Sequence, residues 1–420
     1  MNISIKTVRS LAKAYLTCLV VFTVLLVAVW CVPKSLIKSQ VIESCGVLAE
    51  EGDYPQTRVT ASMRSDTIDS FTTALSLNIA VHGTGNPLKD AFAGAYYKNG
   101  EIFTANLAEG IDKPAGEAYT RYWHGYLVVL IPLLTVFSLV QIRSLFLLAM
   151  GLLSCAACAL IGRKTSLLAS LALALSLIMA NVWVAAFSTS LAFAFFVALV
   201  AIILVALWAD EGAALGAERD WLTFFFVVGA VTSYLDFLNT PIVTLGLPLA
   251  TYLAIRHESV AKASLKDAAV LVAGTCIAWG LGYGLLWTSK WVLSTVILGT
   301  NALGDAVGTA TYRVGGNGIG ARIDAIKANV YTMLDTWQRY LVAALGVALL
   351  LVGIIFHKRP CLPLAIALLV VALLPALWFV ALANHSTIHA FFVYRALSVT
   401  VYAIGLMPTL LIDWKRLHLS

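Results

Sequence analysis

Two aspartates three residues apart are the first side chains in this sequence that could do chemistry. Asp66 and Asp69 lie in the segment RSDTIDSFTTALSLNIA, and a spacing of i, i+3 places both on one face of a helix. Paired carboxylates suit a general base, a divalent-metal ligand, or both. The same segment is also typical of a capped helix, with Ser65 or Asp66 at the N-cap and Asp69 in the first turn.

A second set of polar residues stands in NHSTIHAFFVYR (384–395). His385 and His389 are four residues apart and share a helix face, as a zinc pair would, but no third Cys, Asp or Glu ligand adjoins them. We therefore predict no zinc site. Arg395, the two histidines and Asn384 suit a phosphate better, because Arg supplies a bidentate fork and His supplies a donor. The alternative is a set of interfacial polar residues that cap helix ends.

Two further segments bring polar side chains next to apolar runs. In RYWHGY, Tyr122 and its neighbours are typical of an interfacial aromatic belt, whereas His124 could contact a phosphate or a sugar hydroxyl. In YLDFLNTP, Asp236 and Asn239 follow directly on an apolar run. An ionisable residue so close to hydrocarbon indicates a functional site, and the alternative is a helix-end carboxylate that reaches water. We predict that these four residues bind substrate, together with Asn384.

Arg313 precedes a glycine-rich stretch, VGGNGIG. The glycines do not fit G-x-G-x-x-G and no strand pattern precedes them, so a dinucleotide or Walker-type site is rejected. A mobile loop that closes over a substrate is one interpretation, and a plain flexible loop is the other. We group Arg313 with Arg395, His385 and His389 as candidate phosphate ligands.

These side chains must be positioned by a largely apolar chain. Of 420 residues, 60% are hydrophobic and 12% are charged, and the mean hydropathy is +0.88, whereas soluble domains carry about 25% charged residues. The composition predicts an all-α polytopic membrane protein. The net charge of +6 is spread over short turns, so we predict no nucleic-acid partner. Cys155 and Cys158 lie inside an apolar run, which is typical of small residues at a helix interface.

The apolar runs and the basic turns between them predict the topology. The first run has no signal-peptidase motif after it, so we predict an uncleaved anchor with a cytoplasmic N-terminus. If residues 122–142 lie along the outer surface, every later basic turn falls on the inner side, as the positive-inside rule requires. This choice leaves both termini cytoplasmic and gives about ten spans, at 14–32, 144–161, 166–186, 190–208, 221–238, 241–255, 268–288, 339–356, 361–382 and 396–412.

The chain is thus expected to form a single transmembrane unit, 1–420. Residues 33–143 form a long first extracytoplasmic loop that contains surface helices, and residues 289–338 form a second. Every segment that carries a candidate site residue falls on this outer face, where a shared site would be fed from the lipid. No internal repeat is present, so a repeat-built transporter is less favoured.

With these features, the chain resembles the GT-C superfamily of integral-membrane glycosyltransferases. The resemblance rests on Asp66 and Asp69 just after the first span, a surface helix ending in Arg143, and the LIGRK turn, and it covers the order of spans over 1–260. Members of that superfamily use a polyprenyl-phosphate-linked sugar as donor and carry an acidic residue in the first outer loop as base or metal ligand. The resemblance therefore implies Asp69 or Asp66 as the catalytic carboxylate, and Mg²⁺ or Mn²⁺ as a candidate cofactor.

The resemblance also implies that Arg395, His385 and Arg313 hold the donor phosphate. The chain departs from the superfamily because it lacks the Asp-Glu or Asp-x-Asp pair of some branches. It also has no soluble domain after the last predicted span, which favours a lipid-linked or wall-glycan acceptor over a protein. The expected function is transfer of a sugar from a polyprenyl-phosphate donor to such an acceptor. We expect the active site on the extracytoplasmic side of a bacterial plasma membrane, with membrane lipids around it.

Other functions stay open at this point. A lipid-linked glycan polymerase or ligase would depend less on Asp69 and more on the loop from Arg313 to Arg339. A transporter or flippase of lipid-linked anions would need charges at mid-membrane on broken helices, whereas the predicted span centres are almost free of charge. An assembly or scaffold role without catalysis is the remaining alternative.

Overall fold

The computed structural model describes most of the chain, namely residues 5–57, 64–98, 103–209, 221–315, 318–335, scattered positions between 340 and 351, and 361–411. These residues form helices, turns and two isolated β-bridges, and no strand is found among them. The all-α class predicted from composition is confirmed for this part of the chain.

The first half of the chain supplies the helices α1 (Ile5–Trp30), α2 (Ser35–Glu51), α3 (Ser70–Val81), α4 (Pro87–Ala93), α5 (Phe103–Gly110), α6 (Leu127–Leu134), α7 (Leu139–Lys164), α8 (Leu167–Met179), α9 (Val182–Ala185) and α10 (Thr189–Trp208). The second half supplies α11 (Trp221–Leu235), α12 (Val243–Ile255), α13 (His257–Lys262), α14 (Leu265–Leu298), α15 (Ala302–Val314), α16 (Gly318–Met333), α17 (Leu362–Ala381), α18 (Ala383–Ile388), α19 (Ala390–Val393) and α20 (Ser398–Leu411). Two short 3₁₀ turns, Arg64–Asp66 and Tyr394–Leu397, lie just before α3 and α20.

Six stretches of the described chain are long and apolar enough to cross a membrane: α1, α7, α10, α14, α17 and Ala390–Thr409, most of which is α20. The described residues therefore suggest a helical membrane protein with six candidate spans, and they do not confirm the predicted count of about ten. At three predicted spans the helices α8, α11 and α12 have 13, 15 and 13 residues, which is short of the ~20 residues that a crossing needs. The predicted span 339–356 lies largely outside the described residues.

The predicted surface helix ending in Arg143 has the wrong bounds. α6 has eight residues, contains Pro132 and ends two residues later. α7 then begins at Leu139, where the Gln141 side chain accepts the backbone N–H of Ser138 at 3.0 Å. This is the return bond of a capping box, and it starts a new helix before the basic residue is reached. Arg143 therefore lies in the second turn of the candidate span α7.

Arg143 ties the segment between α1 and α7 to the rest of the bundle. Its guanidinium lies 2.5 Å and 3.0 Å from the two carboxylate oxygens of Glu51, at the end of α2. Its Nε donates to the carbonyl oxygen of Phe187 at 2.8 Å, just before α10. Arg143 is only 4% exposed, so a loss of Glu51 would leave a buried charge uncompensated. This bidentate pair fixes the end of α2 against α7 and α10.

The helices α11 and α14 cross with their backbones in contact. Gly229 of α11 faces the carbonyl of Trp279, and Gly282 of α14 faces the carbonyl of Phe226, so that a methyl group on either glycine would overlap backbone atoms. Small residues of this kind let helices in a membrane approach closely. The 34 residues of α14 make about 50 Å of helix, which exceeds the ~30 Å hydrocarbon core. Part of α14 therefore extends beyond a core of that thickness.

Gly282→Ala is expected to destabilise the protein, because the added methyl group must push α11 and α14 apart. Overpacking of this kind costs about 1–3 kcal/mol. Gly284→Ala is the matched control, since nothing lies within 4 Å of a methyl group at that position on the same helix. Loss of monomeric protein on heating in detergent, followed by size-exclusion chromatography, measures the midpoint of unfolding. Equal midpoints for the two variants would contradict the close α11–α14 contact.

Candidate functional site

One buried carbonyl oxygen collects hydrogen bonds from distant parts of the chain. The carbonyl of Ser65 accepts from Tyr394 Oη at 2.6 Å and from Asn181 Nδ2 at 3.1 Å. Arg395 Nη2 donates to the same oxygen at 3.2 Å. The backbone N–H and the hydroxyl of Ser65 both donate to the carboxylate of Asp335, at 3.2 Å and 2.9 Å. Ser65 is fully buried, so these contacts hold its 3₁₀ turn in place.

Asp66 is the next residue and presents a free carboxylate oxygen. Its Oδ2 accepts from the hydroxyl of Thr57 at 3.0 Å, whereas its Oδ1 has no hydrogen-bond partner among the described residues. Asp66 is only 5% exposed. A buried acceptor without a partner is costly, so this oxygen is suited to receive a proton donor from a bound molecule.

Asp69 has a different set of contacts. It is the N-cap of α3, and its Oδ1 accepts from the backbone N–H of Thr72 at 2.9 Å. Its Oδ2 accepts from the hydroxyl of Ser190 at 3.4 Å. Burial raises the pKa of the Asp69 carboxyl by more than these hydrogen bonds and the charge of Arg395 lower it. Both oxygens of Asp69 are thus engaged within the protein.

The predicted placement of both aspartates on one helix face is wrong. Asp66 ends the 3₁₀ turn, and α3 begins only at Ser70. The contacts of Ser65 hold this turn out of the helix, so that Asp69 is the first residue whose side chain can satisfy a free N–H of α3. The capped-helix interpretation is therefore confirmed in kind, with the N-cap at Asp69 instead of Ser65 or Asp66.

Arg395 completes what we call the carboxylate centre: Asp66, Asp69, Asp335 and Arg395. Arg395 is fully buried, its Nη1 donates to the carbonyl of Phe391 at 3.1 Å, and its Nε has no partner among the described residues. The charges of Asp66 and Asp69 both act on it. Burial, together with the charge of Asp66, raises the pKa of Asp335. Two carboxylates thus act on one guanidinium, and Asp335 is linked to it through Ser65.

A further buried carboxyl lies in the turn between α11 and α12. Asp236 is 4% exposed, and its two oxygens accept from the backbone N–H of Asn239 at 3.3 Å and 3.2 Å. Burial raises the pKa of Asp236 to about 7, although the N–H groups of Asn239, Leu238 and Phe237 oppose the rise. Leu238 has a φ of 67°, a left-handed conformation that is strained for a leucine. Strain of this kind is often found at functional sites.

His385 holds this turn from the other side. Its Nε2 donates to the carbonyl oxygen of Leu238 at 2.9 Å. Burial, followed by the charges of His389 and Arg313, lowers the pKa of His385 to about 3. The ring is therefore neutral at pH 7, and its Nδ1 is an acceptor. His385 has no proton left to donate to a phosphate, so its contact with Leu238 positions the turn.

Arg313 lies at the C-terminal end of α15 and is linked to the same region. Its Nη1 donates to the hydroxyl of Tyr122, and none of the ion pairs among the described residues involves it. Asn384 joins α15 to α18. Its Nδ2 donates to the carbonyl oxygen of Tyr312 at 3.0 Å, and its backbone N–H donates to the carbonyl oxygen of Gly315 at 3.0 Å. The guanidinium is thus placed next to the histidines of α18.

Three side chains in this region have donors to spare, and we call them the donor cluster: Asn239, Arg313 and His389. Asn239 is 3% exposed, and its Nδ2 has no partner among the described residues. The ring of His389 lies 4.8 Å from that of His385, and the pKa of His389 is lowered to about 4 by burial and then by the charge of Arg313. Tyr122, which accepts from Arg313, has its ring 5.3 Å from that of Phe237, in the same turn as Asn239.

The RYWHGY segment is buried rather than interfacial, so the predicted aromatic belt is wrong. Its aromatic side chains are at most 2% exposed, and Trp123 Nε1 donates to the carbonyl of Leu286 in α14 at 2.8 Å. His124 has a φ of 57°, its Nε2 donates to the carbonyl of Tyr119 at 2.6 Å, and its Nδ1 faces the hydroxyl of Tyr126 at 3.2 Å. Burial lowers the pKa of His124 to about 3. His124 is neutral and has no free ring nitrogen for a substrate.

Sequence patterns did not identify two residues that hold the carboxylate centre together. Asn181 and Tyr394 bond to each other at 3.2 Å as well as to Ser65. The available signal for Asn181 is its position as a polar residue in the apolar run LALALSLIMANVWVAAF. Among the described residues, no group of three or more His, Cys, Asp or Glu side chains is arranged to hold a metal ion.

Asp236→Asn is expected to change how stability depends on pH. The pKa of Asp236 is raised from 3.8 to about 7 in the folded protein, so between these values the folded state keeps a proton that the unfolded state releases. Stability should therefore fall as the pH rises through this window, by roughly 4 kcal/mol at most. Asparagine removes this titration.

Unfolding midpoints near pH 5 and near pH 8 measure the effect. Between the two conditions the wild-type protein should lose more stability than Asp236→Asn does. Asp324→Asn, at an exposed carboxylate beside Lys327, is the control and should follow the wild type. Parallel changes in all three proteins would contradict the burial effect at Asp236.

Two buried polar sites therefore stand out in the described part of the chain, the carboxylate centre and the donor cluster. The structure separates the four predicted phosphate ligands, since Arg395 belongs to the first site and Arg313, His385 and His389 lie at or beside the second. The segment from His385 to Arg395 connects them. In comparisons with known proteins, the chain matches no protein-family model, no curated protein and no solved structure.

Proposed function

We propose that this protein is a membrane glycosyltransferase that moves a sugar from a polyprenyl-phosphate donor to a cell-surface glycan or lipid-linked acceptor. One observation carries the proposal: a buried carboxylate with a free oxygen, Asp66 Oδ1, lies within electrostatic range of the fully buried Arg395. A buried carboxylate with an unoccupied acceptor oxygen is suited to general-base activation of a hydroxyl.

Asp66 is the carboxylate to which we assign the base. The sequence could not separate it from Asp69, but their contacts differ. Asp69 uses both oxygens to cap α3 and to accept from Ser190, whereas Asp66 keeps one oxygen without a partner. In this proposal Asp69 shapes the site and acts on Arg395 through its charge.

The proposed step is a direct displacement with inversion. The acceptor hydroxyl gives its proton to Asp66 Oδ1 as its oxygen forms a bond to the anomeric carbon of the sugar. The bond between that carbon and the phosphate oxygen breaks at the same time, and the lipid phosphate leaves with the electron pair. Fixed donors stabilise the charge that the leaving phosphate gains. The site is proposed to lie on the extracytoplasmic side, because a lipid carrier is needed only where nucleotide sugars are absent.

Some members of the superfamily that this chain resembles need Mg²⁺ or Mn²⁺. Asp66 and Asp335 lie close enough for their charges to interact. Mg²⁺ commonly takes one or two carboxylates from a protein and fills its other positions with water and phosphate oxygens. Both oxygens of Asp335 accept from Ser65, however, and the free oxygen of Asp66 is the proposed proton acceptor, so the pair does not fit such a cation. Proton acceptance by Asp66 does not depend on it.

A lipid-linked glycan polymerase or ligase is the second candidate, and a specific observation favours it. Asp69 caps α3, and Arg313 has no carboxylate partner among the described residues. A polymerase site that relies on the loop after α14 would require both features, because it needs Asp69 less and a free Arg313 more. The two candidates differ in their products. Loss of a transferase removes one sugar, whereas loss of a polymerase shortens the glycan chains.

Asp66→Asn is expected to remove the same surface sugar as deletion of the whole protein. Losing a general base lowers the rate by about 10²–10⁴-fold. Asp69→Asn is expected to retain the sugar, because asparagine caps a helix about as well as aspartate does. Mass spectrometry of surface glycans from cells with equal membrane levels of each variant measures the outcome, with Asp324→Asn as the exposed-carboxylate control.

Each other result would count against a stated part of the proposal. A normal glycan with Asp66→Asn, together with an altered glycan after deletion, would show that Asp66 is not the base. Loss of the sugar in Asp69→Asn alone would transfer the role to Asp69. Shortened chains of normal composition would favour the polymerase. An unchanged glycan after deletion would rule out the transferase in that cell.

A further inference from the structure

The two buried sites differ in whether carboxylates accompany their arginine. In the carboxylate centre, the positive charge of Arg395 is offset by Asp66 and Asp69, whose charges both act on it. In the donor cluster, Asp236 lies in the same turn as Asn239, and its oxygens accept from backbone N–H groups of that turn. No ion pair among the described residues offsets Arg313. An anion therefore finds an uncompensated positive charge at the donor cluster, whereas at the carboxylate centre it must compete with carboxylates for Arg395.

The donor cluster also has hydrogen-bond capacity that the protein leaves unused. A guanidinium has five N–H donors, and the hydroxyl of Tyr122 takes one from Arg313. The buried amide of Asn239 has two N–H donors with no partner among the described residues. His389 is neutral at pH 7 and supplies one ring N–H. A phosphate group, with several acceptor oxygens, is the ligand that such a set of donors matches.

Access distinguishes the two arginines further. Arg313 and His389 are half-buried, whereas Arg395 is fully buried. A phosphate on a lipid carrier can reach a half-buried guanidinium without dismantling the fold. To reach Arg395 it would have to displace the contact of Arg395 with Ser65, which holds the turn of Asp66.

We infer that the donor cluster of Asn239, Arg313 and His389 binds the phosphate group of the lipid-linked substrate, and that Arg395 does not. The inference rests on the proposed function for the identity of the lipid, while the anion site itself stands on the contacts and charges above. His385 supports the site indirectly, because its bond to Leu238 holds the turn that presents Asn239.

A binding measurement without any acceptor tests the inference. The full-length protein in nanodiscs is titrated with farnesyl phosphate, inorganic phosphate or phosphatidylglycerol. Arg313→Gln and Asn239→Asp are expected to weaken farnesyl phosphate binding by roughly tenfold or more, as the loss of a charge-assisted contact does. Asn239→Asp is nearly isosteric and places a negative charge against the ligand. The exposed-site controls Asp324→Asn and Lys327→Gln should bind as the wild type does.

Each other binding result would overturn or reassign the proposed phosphate site. Unchanged binding in both Arg313→Gln and Asn239→Asp would overturn the site, as would an equal loss in Lys327→Gln. Loss of binding in Arg395→Gln with intact binding in Arg313→Gln would move the phosphate to the carboxylate centre. Inorganic phosphate or phosphatidylglycerol binding as tightly as farnesyl phosphate would assign the site to free phosphate or to bulk anionic lipid. Because no sugar is transferred in this assay, the anion site and the transferase proposal fail independently.

Discussion

The position of Asp66 depends on the carbonyl oxygen of Ser65. In a chain of mostly apolar helices, a buried carbonyl outside a helix must find its donors elsewhere in the protein. Here the donors come from Asn181 at the end of α8 and from Tyr394 and Arg395 before α20. Each bond is worth only about 1 kcal/mol net, but in a low-dielectric interior such a set is cooperative. The turn of Asp66 can therefore form only when these distant segments are already in place.

This dependence explains why Arg395 is a poor phosphate ligand despite its charge. Its Nη2 is committed to Ser65, its Nη1 to Phe391, and its charge to the two aspartates. Any anion that drew the guanidinium away would leave buried carboxylates uncompensated, at a cost of several kcal/mol. Arg313 has no such commitment among the described residues, and it contacts only the neutral hydroxyl of Tyr122. The same residue type thus serves structure at one site and remains available for binding at the other.

Most of the polar residues that form the two sites were predictable from sequence, because ionisable residues next to apolar runs are uncommon. Asp66, Asp236, His385 and Arg395 were singled out on that ground, and all four are buried in the structure. Which of them meet was not predictable, since contacts such as Arg395 with Ser65 join positions more than three hundred residues apart. The lengths of the helices were also not predictable from the local sequence pattern. The apolar runs at α8, α11 and α12 are long enough to span, but turns at Asn181 and Asp236 end two of these helices early.

The choice between Asp66 and Asp69 shows where sequence reasoning stops. Their spacing is equally compatible with a shared helix face and with a cap, and propensity alone favours Ser, Thr, Asp or Asn at an N-cap without choosing among neighbours. The choice is made by Ser65, whose five hydrogen bonds hold the 3₁₀ turn outside α3 and leave Asp69 as the first residue able to cap it. The cap and the hydroxyl of Ser190 engage both oxygens of Asp69, whereas one oxygen of Asp66 has no partner among the described residues. A distant set of donors therefore decides which of two neighbouring carboxylates is free to act as a base.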